Sequence, residues 1–140
     1  MSTKKRAADY ERQLMNLFWD NGFAVLRAPA SSGTTKIHTP DIFAGSKERG
    51  LFIAIELKTS RQNFFYVKKS QIRGLLEFSR RMGAQAYLAV KFIGKRTGFL
   101  FLSVPDALID SRGDSYIVRL KDVKERGISF EELISETSPK

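Results

Sequence analysis

The chain has 140 residues, the length of a single domain, and its 42% hydrophobic and 28% charged residues are a globular composition that excludes intrinsic disorder for most of it. Lys and Arg number 24 against 15 Asp and Glu, a formal net charge of +9 that favours a polyanionic partner. The absence of cysteine excludes disulfides, thiolate metal sites and thiol nucleophiles, no apolar run reaches the roughly 18 residues of a membrane span, and no signal-peptide core follows Met1, so the chain reads as cytosolic.

No repeat or linker interrupts the sequence, which reads as one domain over 1–140 with only a basic arm (1–6) and a tail (137–140) as loose ends. Glu11, Leu14, Met15 and Phe18 recur at i, i+3, i+4 and i+7, predicting a first helix closed near Gly22, with a carboxylate on its apolar stripe. Phe23-Ala24-Val25-Leu26 reads as a short buried strand. The small polar residues, Pro29 and Gly33 that follow mark a loop. Pro40-Asp41-Ile42-Phe43-Ala44 reads as a strand opened by proline, and a turn at 46–50 leads into Leu51–Lys58, the most strand-like run, so the two should form a hairpin. After Asn63 the pattern becomes helical, with Ile72, Leu75, Leu76 and Ser79 on one face and Gly83 as the stop. Strands at 86–92 and 99–104 flank a five-residue hairpin loop with two glycines. A helical turn at 105–108, a strand at 116–120 and a capping box, Ser129-Phe130-Glu131-Glu132, complete the pattern. This order predicts an α/β fold, a central mixed sheet flanked by helices.

Chemistry concentrates in Glu11, Asp41, Glu56 and Lys58. Side chains alternate along a strand, so Glu56 and Lys58 share one face while Leu51, Ile53, Ile55 and Leu57 share the other. Hairpin pairing brings Asp41, at the start of one strand, beside Glu56 and Lys58 near the end of the next. Carboxylates gathered on apolar elements need compensation, and a hard divalent cation supplies it; Mg²⁺ accepts one or two carboxylates together with substrate phosphate oxygens. A lysine alongside can orient water or neutralise charge developing on phosphorus, so the set describes phosphodiester hydrolysis.

The short pattern Pro40-Asp41 followed fifteen residues later by Glu56-Leu57-Lys58 resembles the PD-(D/E)xK nuclease motif. With Glu11-Arg12-Gln13-Leu14, the segment Phe23 to Ser31, Pro40 to Gly45 and Glu56 to Thr59 in this order and spacing, the chain resembles the archaeal-type Holliday junction resolvases over about residues 7–92. The resemblance implies a restriction-endonuclease-like fold, a homodimer, dependence on Mg²⁺ with Mn²⁺ as a substitute, and resolution of four-way DNA junctions by paired nicks. It implies that Glu11, Asp41 and Glu56 hold metal, that Lys58 serves catalysis, and that Ser31 contacts the scissile region. The alternatives are another nuclease of the superfamily acting on flap or linear DNA, or a catalytically silent DNA-binding module. Where the family often has Glu, this chain has Gln13.

His38 is the sole histidine, so zinc and histidine-nucleophile chemistry lack a second residue, and it reads as a solvated loop side chain. Ser31 and Ser32 lack a nucleophile elbow and read as phosphate contacts, and no glycine-rich nucleotide fingerprint supports a nucleotide cofactor. Arg27, Lys36, Arg61, Lys68 and Lys69 are expected on DNA phosphates, where contacts position the duplex without reading its sequence. Gln71 reads either as a site residue or as a solvated helix position. The consecutive Phe64, Phe65 and Tyr66 read either as stacking on exposed bases or as a dimer contact.

Overall fold

The structure is a computed structural model describing residues 7–28, 37–108 and 110–135. Helix α1 (Ala7–Asp20) buries Leu14 and Phe18 of the expected stripe, with Glu11 and Met15 half-buried, and Tyr10 joins them in the core. Strand β1 (Ala24–Arg27) follows, but the expected burial fails beyond Phe23: β1 is an edge strand, and Leu26 is 69% exposed. Strands β2 (Ile42–Ser46) and β3 (Leu51–Ser60) form the predicted antiparallel hairpin, Ile42 opposite Ile55 and Ser46 opposite Leu51. Its turn uses Gly50 at φ 66°, a left-handed conformation that costs glycine little.

Where the sequence suggested entry into a helix, the chain first forms β4 (Phe64–Lys68) and only then α2 (Lys69–Met82), which ends on Gly83 at φ 75°. Strand β5 (Gln85–Phe92) returns parallel to β3, with α2 as the crossover helix. Strand β6 (Leu100–Ser103) pairs antiparallel with β5 as expected. The expected single turn at 105–108 is present: the Ala107 N–H donates to the Ser103 carbonyl and the Leu108 N–H to the Pro105 carbonyl, each at 2.9 Å, and the turn is not continued into a helix. Beyond it lie β7 (Ser111–Arg112), β8 (Ser115–Arg119), α3 (Leu120–Arg126), β9 (Ile128–Ser129) and α4 (Phe130–Ser135). The capping box is reciprocal: Glu132 N–H donates to Ser129 Oγ at 3.1 Å, and Ser129 N–H to Glu132 Oε1 at 3.0 Å.

The main sheet runs β1-β2-β3-β5-β6-β9, and a second sheet runs β4-β8-β7. Because β3 alternates, each face of the main sheet builds its own core. Ile53 and Ile55 pack with Leu14 and Phe18 of α1 and Phe130 and Leu133 of α4. Ala54 faces the opposite core, with Ile72 and Leu75 of α2, Phe65 and Val67 of β4, Val118 of β8 and Val123 of α3. No helix among the described residues is long and apolar enough to cross a membrane.

Candidate active site

The hairpin register assembles the site. Pairing of Ile42 with Ile55 brings Asp41, one residue before β2, level with Glu56. Asp41 Oδ2 accepts the Leu57 backbone N–H at 2.8 Å, which fixes that carboxylate against β3. Phe43 packs its ring on Phe78 of α2, so the β3 face carrying Ala54, Glu56 and Lys58 is the α2 face. Lys58 Nζ accordingly donates to Gln71 Oε1 at 3.2 Å, which places Gln71 at the site rather than in solvent. Glu11 approaches from the other layer. It is half-buried on α1 and paired with the exposed Arg27 of β1.

Electrostatics record how closely these groups sit. Burial, then the charge of Asp41 and a hydrogen bond with it, pushes Glu56 up to about 8, with Lys58 opposing and Glu11 adding to the rise. Glu56 is 4% exposed. Burial also raises Glu11, the Arg27 guanidinium pulls it back, and Asp41 pushes it up again. A carboxyl that keeps its proton at neutral pH marks a site short of positive charge.

His38 Nε2 stands 2.9 Å from Glu56 Oε1. Burial lowers the His38 pKa, with Asp41 opposing, so neutral imidazole meets protonated carboxyl at pH 7 and the contact is a hydrogen bond rather than an ion pair. This overturns the solvated-loop reading of His38. The ring lies on Gly74 of α2, where a Cβ would stand 2.5 Å from His38 Cγ. The signal in the sequence was Gly74 itself: a glycine inside a helix costs about 1 kcal/mol against alanine, and a close approach is a common reason for one.

Among the described residues no three His, Asp or Glu side chains stand as a ready ligand set. Glu11 of α1 is held by Arg27 and Glu56 of β3 by His38, and the charge of Asp41 acts on both. The donor chemistry nevertheless fits a hard divalent cation: the carboxylate oxygens of Glu11, Asp41 and Glu56 are electrostatically coupled, and added positive charge would relieve the raised pKa of Glu56. Of the expected phosphate contacts, Arg61 is exposed between β3 and β4, Lys68 is exposed at the end of β4, and Lys69 lies with its Nζ 5.6 Å over the Tyr116 ring. Ser31, Ser32 and Lys36 lie outside the described residues.

A mixed sheet with α1 on one face and α2 on the other, bearing acidic residues and a lysine at the end of its central hairpin, defines the restriction-endonuclease-like class. The solved structure of Archaeoglobus fulgidus Hjc, a Holliday junction resolvase, matches the fold with a TM-score of 0.79 and 27% identity, covering 91% of this chain and 99% of that one. The family model for archaeal Holliday junction resolvase (Hjc) matches residues 2–140, and the chain belongs to that family. Two similar proteins are both crossover junction endodeoxyribonucleases Hjc. That of Sulfolobus acidocaldarius is 36% identical over 135 residues, 96% of this chain and 90% of the relative. That of Sulfurisphaera tokodaii is 38% identical over 135 residues, 95% of this chain and 88% of the relative.

Proposed function

We propose that this chain is a Mg²⁺-dependent, structure-selective endodeoxyribonuclease that resolves four-way DNA junctions by paired symmetric nicks. The observation that carries the reading is Asp41 locked beside Glu56 by the β2-β3 register, with Lys58 on the same face of β3 and tied to Gln71. Family membership and the names of the relatives support it.

In this reading Glu11, Asp41 and Glu56 would hold the cation, and a cation bound there would supply Lewis-acid stabilisation to the phosphate oxygens. Lys58, steadied by Gln71, places its ammonium where attack on phosphorus builds negative charge, and it does so before substrate arrives. Asp41, fixed through the Leu57 N–H, defines one edge of the site. Glu56, buried beside Asp41, would present its carboxylate oxygens to a bound cation, whose charge would offset the burial and the Asp41 charge that now raise its pKa. Water oxygen bonds to phosphorus as the bond to the 3′ oxygen breaks, the departing oxygen takes up a proton, and the nick carries a 3′ hydroxyl and a 5′ phosphate. One site per chain cuts one strand, and a four-way junction has two equivalent strands, so a two-fold homodimer suits the paired nicks. Arg27, Arg61, Lys68 and Lys69, with Ser31, Ser32 and Lys36, contact the DNA backbone.

The test compares cleavage of an immobile four-way junction, a flap and a linear duplex at equal concentration with Mg²⁺, Mn²⁺ or EDTA. Junction product is expected with either metal and none with EDTA. Asp41→Asn is expected to bind the junction and to cut it about 100-fold more slowly or less. Cleavage that favours flap or linear DNA would move the chain to another superfamily activity, and the absence of metal-dependent product would leave a binding module.

A further inference from the structure

The sequence does not foretell the second sheet, and of its outer face only Lys68 has a part in the function proposed above. On β4 the burial alternates, so Phe65 and Val67 enter the core while Phe64, Tyr66 and Lys68 face outward. Phe64 is 37% and Tyr66 53% exposed, and their rings meet edge to face with centroids 5.8 Å apart. Single exposed apolar side chains are ordinary, but two aromatic rings in contact on one outward strand face form a contiguous apolar patch, which marks an interaction surface.

The surroundings of this pair are basic. Across the sheet Arg119 lies opposite Phe64, Ile117 opposite Tyr66, and Ser115 opposite Lys68. A groove of about 300 Å³ adjoins Phe64, lined by Asn63, Arg119, Leu120, Lys121 and Lys124. Arg119 is already paired with Asp110, whereas Lys68, Lys121 and Lys124 form no ion pair among the described residues. Cations along a groove beside exposed aromatic rings are the arrangement that holds single-stranded nucleic acid: the lysines track phosphates and the rings stack on bases. A second copy of this chain is the poorer occupant. A two-fold contact through this face would set the same positive patch against itself.

The platform is also tied to the active site at both ends. Ser60, two residues after Lys58 on β3, donates its hydroxyl to the Phe64 carbonyl at 2.8 Å. At the other end β4 runs directly into α2, whose Gln71 holds Lys58. The Asn63 carbonyl accepts the Leu120 N–H at 2.7 Å, fixing the groove to the same corner.

We infer that the outer face of the small sheet is a second DNA subsite, where Phe64 and Tyr66 stack on a base exposed where the arms separate at the branch point and Lys68, Lys121 and Lys124 hold its flanking phosphates. The inference rests on the reading of the chain as a junction-acting nuclease. It assigns selectivity for branched DNA to this face, separately from the residues that cut.

Binding measured by fluorescence anisotropy in EDTA, with an immobile four-way junction and a linear duplex of equal length, tests the inference. Replacing both exposed rings, Phe64→Ala with Tyr66→Ala, is expected to weaken junction binding by about 10- to 100-fold, with duplex binding changed less than about threefold. A second measurement does not depend on that variant folding: in a Trp19→Phe background, Phe64→Trp retains a stacking ring, and its fluorescence should be quenched by the junction and not by the duplex. Equal losses on both DNAs, no loss, or quenching by both would overturn the inference. So would a change in oligomeric mass of the double variant without a selective loss on the junction. A wild-type protein that binds junction and duplex alike would overturn the proposed function itself, whereas junction preference that survives in the double variant would overturn the subsite alone.

Discussion

Replacing Glu56 with glutamine should make the metal-free protein more stable at alkaline pH. Glu56 is almost fully buried, and its carboxyl titrates at about 8 instead of 4.5, chiefly through burial and then through Asp41. The native state therefore holds a proton that the unfolded chain releases, and the sign follows: this contribution is fully present below pH 4.5 and is lost as pH rises through 8. At about 1.4 kcal/mol per pH unit the total loss is about 3–5 kcal/mol, a large part of the 5–15 kcal/mol that holds a domain together. An amide at this position stays uncharged at every pH and can still hydrogen-bond His38. Urea unfolding followed by circular dichroism in EDTA, from pH 4.5 to 9, should show wild-type stability falling relative to Glu56→Gln by that amount. A saturating divalent cation should restore most of the loss to the wild type at pH 8 and little to the variant, because a ligand that binds only the native state stabilises it. Parallel stability curves for the two proteins in EDTA would refute the buried protonated carboxyl.

Two further outcomes follow from the packing. Gly74→Ala places a methyl group where the His38 ring lies, so it should raise the cation concentration needed for half-maximal cleavage, as should His38→Ala. The double variant should be no worse than the poorer single one, and additive effects in this cycle would show that the two residues act independently. Phe18 is fully buried and meets Phe23 and Phe130 with ring centroids 5.1 Å away, so Phe18→Ala should destabilise the fold by about 3–5 kcal/mol in urea unfolding; a loss below about 1.5 kcal/mol would show that this core can collapse around the gap.

The alternation of Leu51 to Lys58, the helical spacing of Leu14, Met15 and Phe18, and the Ser129 capping box were all legible by themselves, because each is a local pattern that one element satisfies internally. The hairpin put Asp41 and Glu56 together for the same reason: its turn is short and its register follows from alternation. Long-range contacts settled the rest. Phe64–Lys68 became a strand because β8, some fifty residues later, supplies its hydrogen-bond partners. Phe23-Ala24-Val25-Leu26 looked like core, yet β1 lies at the sheet edge, where only Phe23 of the four is buried. His38 could not be placed from its own neighbours, since its hydrogen-bond partner lies on β3 and its seat on α2. Sequence by itself determined the periodic elements and the acidic pair with its lysine. Tertiary structure decided which strands have neighbours on both sides, which apolar side chains stay in water, and which loop residue reaches the site, because those outcomes depend on surfaces that exist only after distant segments have packed.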